Sequence, residues 1–330
     1  MTTQSPATPA AIAARRREVA LAIGRPVRLN ALASTPTEAV AGLDGLAAHL
    51  QVHTDPPAAI VFDDLGAFTI DAPEPDRPAF IGEVALISGG ASGIGKAIVA
   101  SLLERGTAVV NLDLNPAVTT LFDAPLHLGI QVDVTDEAAL VGAFDQATRR
   151  FGGLDMLVLN AGIFPPGVRI EDLATQAWDR VLRINLDPNL VLLREAHALL
   201  KLAPRYGRVV VNASKNVLAP GAGAVAYSSA KAAVTQMARV AALEWAKEGI
   251  RVNVVHPDQV FDTGIWTEEV LNARAAHYGL TVEQYKRRNL LGVEIKSRYV
   301  GEFVAEMLGP MFENITGVQI PIDGGSDRII

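Results

Sequence analysis

The sequence has no cysteine. That absence removes disulfides, thiolate metal sites and cysteine nucleophiles together, and it fits a reducing compartment. Long apolar runs are also missing: nothing approaches the ~20 residues that span a bilayer. The expectation is therefore a cytoplasmic protein with no membrane partner. Positive charge is in deficit, with 29 Lys and Arg against 36 Asp and Glu and a formal net charge of -7. Nucleic acid is disfavoured as a partner, because neutralising phosphates needs a basic face. The opening stretch is Ala-rich and carries Arg15, Arg16 and Arg17. It lacks the charged-then-apolar order of a secretory signal, although its scarcity of acids leaves a transit peptide as an alternative.

What is present is enough to bury a full core: 330 residues, 49% of them hydrophobic, suit one large domain or one domain with an appendage. Composition changes near residue 80. Residues 1–80 read as an N-terminal extension with a short helix near 36–50 and an apolar run AAIVFDDLGAF of strand type. DAPEPDRPAF (71–80), with three prolines and four charges, reads as a linker. His49 and His53 are four apart with no acid or third ligand at a useful spacing, so a solvated pair is preferred to a metal site. Residues 81–330 alternate strand-length apolar runs with helical patterns. The strands are VALIS (84–88), AVVNLD (108–113), LGIQVDV (128–134), MLVLNAG (156–162), RVVVNAS (208–214), RVNVVHP (251–257) and VQIPIDG (318–324). Such uniformly apolar strands are buried on both faces, which predicts an α/β fold with a doubly wound parallel sheet of Rossmann type.

The first of these strands enters Gly89-Gly90-Ala91-Ser92-Gly93-Ile94-Gly95 and then a helix. Glycines there permit angles that side chains forbid, and let a pyrophosphate approach amide N–H groups at a helix N-terminus. The spacing is G-x-x-x-G-x-G, and such turns also arise for packing alone. Asp113, at the end of the second strand, strengthens the cofactor reading. A carboxylate there can accept from both adenosine ribose hydroxyls and repel a 2′-phosphate, favouring NAD over NADP. The competing role for Asp113 is to cap the segment that follows.

Tyr227 and Lys231 lie one helical turn apart in a small-residue helix, AYSSAKAA. An ammonium near a phenol favours the phenolate, and bringing a phenol from about 10 to about 7 takes roughly 4 kcal/mol. A phenol titrating near neutrality serves as base for alcohol oxidation and as acid for carbonyl reduction. Ser214 ends the strand just before that helix, where a hydroxyl can bond a developing alkoxide.

With these motifs in order, residues 81–330 resemble the short-chain dehydrogenase/reductase family. Matching segments are SGGASGIG (88–95), Asp133-Val134, LNAGI (159–163), Asn185 within RVLRINLD, Ser214, the Tyr227/Lys231 pair, Thr263 and TGVQIPIDGG (316–325). The resemblance implies Tyr227 as acid/base, Ser214 as substrate-orienting hydroxyl, and Lys231 as ribose ligand and modulator of the phenol. It implies Asn185 as the holder of a water linking Lys231 to solvent. Gly89, Ser92, Gly93, Ile94 and Gly95 would form the pyrophosphate turn, with Asp113 on the ribose and Asp133 and Val134 on the adenine. Asn160, Ala161 and Gly162 would line the cofactor, Asn160 mainly bracing strands, and Thr263 would touch the nicotinamide amide. It also implies a homodimer or homotetramer built on the helices bearing Asn185 and Tyr227.

Two features depart from the family. After the sixth strand the usual Pro-Gly is replaced by His256-Pro257-Asp258-Gln259, and the spacing to Thr263 is longer. After the serine come Lys215-Asn216, where small or apolar residues are usual. Lys215 either binds a substrate carboxylate, phosphate or polyol or is a solvated lysine. Residues 264–292 carry Trp266, His277, Tyr278, Tyr285, Lys286, Arg287 and Arg288. They read either as a substrate lid or as surface helices with inward aromatics and solvated cations. The runs ASKNVLAPGAGAVAYSSAKAA, HPDQVFDTGIWTEEV and HYGLTVEQYKRRNLLG are similar to the dehydrogenase half of bacterial bifunctional aldolase/short-chain dehydrogenase proteins. The expected activity is hydride transfer between NAD(H) and a small hydroxy or carbonyl compound, sugar-, polyol- or lactaldehyde-like and anionic or polyhydroxylated. The rival expectation is an idle nucleotide-binding scaffold or sensor of the same fold.

Overall fold

The computed structural model of the chain describes residues 8–24, 26–53, 55–71 and 80–326. The linker segment therefore lies almost wholly outside the described residues. Two sheets are present among them. The larger contains β5 (Val84–Ser88), β6 (Ala108–Asp113), β7 (His127–Gln131), β8 (Met156–Leu159), β9 (Gly207–Asn212), β10 (Ile250–Pro257) and β11 (Gln319–Ile322). Their order is β7-β6-β5-β8-β9-β10-β11, parallel throughout. All seven expected strands exist. The third, fourth, fifth and seventh stop two or three residues short of their expected ends, although Val132 and Ala213, just beyond β7 and β9, still donate to the neighbouring strands.

Burial on both faces explains the apolar runs. Leu86, Val110, Leu157 and Val209 face one core, and Ala85, Ile87, Val109, Val158 and Val210 face the other. The helices α4 (Glu137–Phe151), α6 (Asp187–Leu200) and α7 (Val225–Trp245) cover the first face, with α5 (Thr175–Asn185) packed against α7, and α3 (Gly93–Glu104) and α10 (Ser297–Leu308) cover the second. The strand order reverses between β5 and β8, and the crevice outside their carboxyl ends is where open α/β sheets bind ligands.

The N-terminal residues form a second small sheet. Helix α1 (Pro9–Ile23) precedes β1 (Arg28–Ala31), β2 (Val40–Ala41), α2 (Gly42–Val52), β3 (Ala59–Phe62) and β4 (Gly66–Asp71), in sheet order β1-β4-β3-β2. The expected helix starts six residues later than its sequence range, and the apolar run is a strand, a turn and part of a second strand. Val19, Leu29, Leu46, Ile60 and Phe68 form this unit's core.

The unit is clamped to the amino ends of the large sheet. Arg16, 1% exposed, donates to the carbonyls of Val27 (2.6 Å) and Gly82 (2.8 Å) and pairs with Asp155 at 2.6 Å. Asp155 also accepts the Val84 amide at the start of β5 (2.7 Å). Ala13 joins the main core, and Gly152 lets Leu29 approach, since a Cβ there would lie 3.0 Å from its backbone nitrogen.

Candidate active site

The glycine turn is built by close backbone approach. Gly89 and Gly93 have φ of 71° and 52°, values that L side chains resist. A Cβ on Gly95 would sit 2.0 Å from the Gly89 carbonyl, and one on Gly89 would sit 2.8 Å from the Ala161 Cα. Ser88 accepts the amides of Asn160 and Ala161 (both 3.1 Å). The Asn160 side chain donates to the carbonyls of Ser88 (3.0 Å) and Gly89 (2.9 Å) and accepts from Asn212 (2.8 Å). Asn160 thus ties β5, β8 and β9 together behind the turn. Gly162 follows, its absent side chain leaving room for Asn185 Oδ1 and, 3.7 Å away, Lys231 Nζ.

The capping reading of Asp113 is seen in the geometry, and its carboxylate also ties to the glycine turn. One carboxylate oxygen accepts the Ala91 amide of the glycine turn (2.9 Å), and the other caps the following segment at the Asn115 amide (2.9 Å). Asp133 is exposed and accepts the Thr135 amide (2.9 Å), which holds its carboxyl below the usual range. Val134 beside it is half-buried. Ser92 precedes α3 as its N-cap residue, and Ile94 in its first turn packs against the second core. Thr263, despite the longer spacing, lies over the turn: a Cβ on Gly93 would be 3.2 Å from its methyl. Its hydroxyl donates to the Val260 carbonyl (2.8 Å).

The four candidate catalytic residues converge. Asn185 is fully buried at the break between α5 and α6, with its amide closed on the Ile163 backbone in both directions (2.7 and 2.9 Å). Lys231, also buried, donates to the Asn212 carbonyl (2.8 Å). The Tyr227 phenol lies beside the Ser214 hydroxyl, and Phe164 packs edge-on against its ring at 4.7 Å. Lys231 Nζ is 5.9 Å from that ring's centroid.

The electrostatics of the free site correct the expectation drawn from the four-residue spacing. Burial raises the phenol of Tyr227, and only the Ser214 hydrogen bond opposes it. Burial equally brings Lys231 down to about 8. Desolvation of both groups therefore outweighs their mutual attraction, a balance that spacing does not reveal. The sign of the consequence is fixed. Between about 8 and the ordinary 10.5 the unfolded chain holds a lysine proton that the folded chain has lost, so folding stability rises with pH across that window. Lys231→Met should accordingly stabilise the ligand-free protein most below pH 8, the advantage shrinking toward pH 10.5. Thermal melts of both proteins at matched pH check this.

Several residues that stand out in the sequence only as departures acquire their tasks from partners distant in the chain. His256, fully buried, bonds the Ser214 carbonyl (2.9 Å) through Nδ1 and the Gln319 side chain (3.1 Å) through Nε2, fixing the backbone that carries the serine. Lys215 pairs with Asp258 at 3.5 Å, both largely buried. Burial raises the Asp258 carboxyl, and Lys215 opposes the rise. Gln259 has φ 48°, the only non-glycine positive φ among the described residues, and donates to the Tyr285 hydroxyl (2.9 Å).

Residues 264–292 contain α8 (Glu268–His277) and α9 (Val282–Lys286). Trp266 and Tyr285 turn inward and cluster with Phe261, whereas His277 and Tyr278 are exposed. Lys286 pairs with Glu294 (3.4 Å) and Arg287 with Glu283 (2.8 Å), while Arg288 stacks on Tyr278 at 4.1 Å.

The site has the donor set that a nicotinamide dinucleotide needs: a glycine turn opening a helix, a carboxylate after the second strand, and a buried ammonium. Of that ammonium's three donors, one is engaged by the Asn212 carbonyl. A family model described as short chain dehydrogenase matches residues 83–273, and the chain belongs to that family, whose members are oxidoreductases using NAD(H) or NADP(H). Among curated relatives, cis-4-hydroxycyclohexanecarboxylate dehydrogenase of Sinomonas cyclohexanicum is 35% identical over 75% of this chain and 97% of its own length. The uncharacterized oxidoreductase YuxG of Bacillus subtilis is 33% identical over 76% of this chain, which spans only 38% of YuxG. Among solved structures, a short-chain dehydrogenase/reductase from Serratia marcescens is 32% identical with a TM-score of 0.64, covering 75% of this chain and 98% of that one. A Brucella melitensis 3-ketoacyl-(acyl-carrier-protein) reductase complexed with NADH shares the fold, with a TM-score of 0.66 at 24% identity over 76% of this chain and 99% of that one. No helix among the described residues is long and apolar enough to cross a membrane.

Proposed function

We propose that this chain is an NAD-dependent dehydrogenase of small hydroxy or carbonyl compounds, with Tyr227 as the proton donor and acceptor. The observation that carries this reading is the gathering of the Tyr227 phenol, the Ser214 hydroxyl, buried Lys231 and buried Asn185 at one place. Bound in the crevice, the dinucleotide supplies or accepts the hydride. The chain's own residues do the rest. Ser214 orients the substrate oxygen, held in place from behind by His256. Tyr227 passes the proton, and its shift by burial makes it a stronger base once ionised. Lys231 holds the ribose and, on gaining those acceptors, keeps its charge near the phenol. Asn185 braces the Ile163 backbone, and the water role implied by the resemblance would fall to its neighbourhood. Gly89 to Gly95, Asp133, Val134, Asn160, Ala161, Gly162 and Thr263 frame the cofactor.

Asp113 supports NAD over NADP, since a carboxylate already anchored on the glycine turn would repel a 2′-phosphate. Turnover with NAD should exceed that with NADP by about tenfold or more, equivalent to ~1.4 kcal/mol of discrimination. Asp113→Ser should narrow the gap. A panel of short sugars, polyols, hydroxy acids and aldehydes, run with both cofactors and followed by reduced-cofactor absorbance, checks both statements. Failure of every substrate with either cofactor would favour a nucleotide-binding scaffold.

For the substrate, the Lys215–Asp258 pair next to Ser214 supports a polar compound, sugar-, polyol- or lactaldehyde-like or carrying an anionic group. The Sinomonas relative is named for a hydroxylated carboxylate. The narrower likeness to dehydrogenase halves of bifunctional aldolase proteins rests on the sequence runs alone. A homodimer or homotetramer in the cytoplasm completes the proposal. Leu190 of α6 and Val240 and Leu243 of α7, exposed on the helices next to the site, support self-association.

A further inference from the structure

The edge of the large sheet opposite the candidate active site holds an unusual concentration of guanidinium groups. Arg208 and Arg251 are the second residues of β9 and β10 and sit directly opposite one another in the parallel register. Both are buried, 3% and 7% exposed. Arg205, in the turn before β9, joins them, and together with Tyr206, Gly309, Pro310 and Glu313 they line a cavity of about 40 Å³. Like charges facing each other across strands destabilise a sheet. Something must offset the repulsion.

The carboxylates present do not suffice. Glu83, 1% exposed, accepts from Arg208 Nη1 (3.1 Å) and lies 3.1 Å from its Nη2 and 3.5 Å from Arg205. Glu313 is engaged by the Tyr206 hydroxyl. Arg251 reaches only two main-chain carbonyls, Met307 at 3.4 Å and Ile315 at 3.5 Å, both long. Among the described residues, Arg208 Nε and Arg251 Nε are buried with no hydrogen-bond acceptor, and Arg208 Nη2 has its carboxylate close but no acceptor in hydrogen-bond geometry. Buried donors are satisfied in almost all native proteins, and leaving a charged one unmade is costly. The cavity walls carry three guanidinium groups against one carboxylate. Counting Glu83 behind them, one positive charge remains uncompensated.

We propose that this cavity is a binding site for a small monovalent inorganic anion of the halide class, seated between Arg208 Nε, Arg251 Nε and Arg205. A volume near 40 Å³ holds about two or three waters or one such ion, taking ~10–15 Å³ for a water on this measure. Water alone would accept the hydrogen bonds and leave the charge. Arginine does not shed its proton to relieve it, although burial and the neighbouring Arg208 bring Arg251 down to about 10. The bound ion would link β9, β10 and the end of α10, so its effect is on the stability of the whole chain and not on the chemistry at the far edge.

The test uses the full-length protein in two ways. Crystals grown or soaked in sodium bromide should show an anomalous bromine peak within about 3.5 Å of Arg208 Nε and Arg251 Nε. In solution, replacing gluconate by chloride at constant ionic strength should raise the melting midpoint by about 2 °C at ten times the dissociation constant. Arg205→Met, at a half-exposed side chain, and Arg251→Met should each abolish that difference. Water or empty density at the cavity would overturn the proposal. So would an equal chloride effect in wild type and Arg205→Met, or a bromide peak with no solution shift. Should Arg251→Met not fold, the bromide peak and Arg205→Met decide the matter.

Discussion

Tyr227→Phe should lower turnover by about 10²–10⁴-fold, the usual worth of positioned proton transfer, while leaving dinucleotide affinity within about twofold. The ring and its packing against Phe164 are kept, and only the phenol oxygen beside Ser214 is removed. A variant that lost affinity and rate together would point to collapse of the crevice, which circular dichroism and the melting midpoint would expose. Stopped-flow measurement of the hydride step, with cofactor binding titrated separately by fluorescence, separates the two. Unchanged turnover would remove Tyr227 from the chemistry altogether.

Arg16→Met carries the second large expectation, here on stability. The substitution leaves Asp155 buried at 1% exposure without its cation, and breaking a buried pair from one side costs about 3–5 kcal/mol. Combining it with Asp155→Asn should recover most of the loss, because the amide oxygen can still accept from the Val84 amide while the stranded charge is gone. Denaturant unfolding of the single and double variants checks the order. Below its melting midpoint the single variant should keep its kcat, since the pair lies at the sheet edge opposite the catalytic cluster. Equal destabilisation in single and double variants would mean that lost packing, not lost charge, sets the cost.

The central architecture was legible because its signals are local. Apolar runs buried on both faces, a glycine turn after the first strand, and a tyrosine one helical turn from a lysine each occupy a few consecutive residues. What escaped depends on partners far apart in the chain. Arg16 meets Asp155 across 139 positions, so its helix read as an Ala-rich tail although it anchors the unit. His256 was visible in an unusual loop, but its task emerges only when Gln319 and the Ser214 carbonyl close around the ring. The protonation of Tyr227 and Lys231 was misread for a related reason. Spacing reports attraction between two groups and says nothing of how much water each has lost.

Gln259 has one more consequence. Its left-handed backbone lacks the freedom glycine would have there, and its side chain is fastened to Tyr285 of α9. Much of the ordering entropy of the crevice mouth is therefore spent during folding, before any ligand arrives. A loop ordered in this way would favour selection among substrates by shape over adaptation to many.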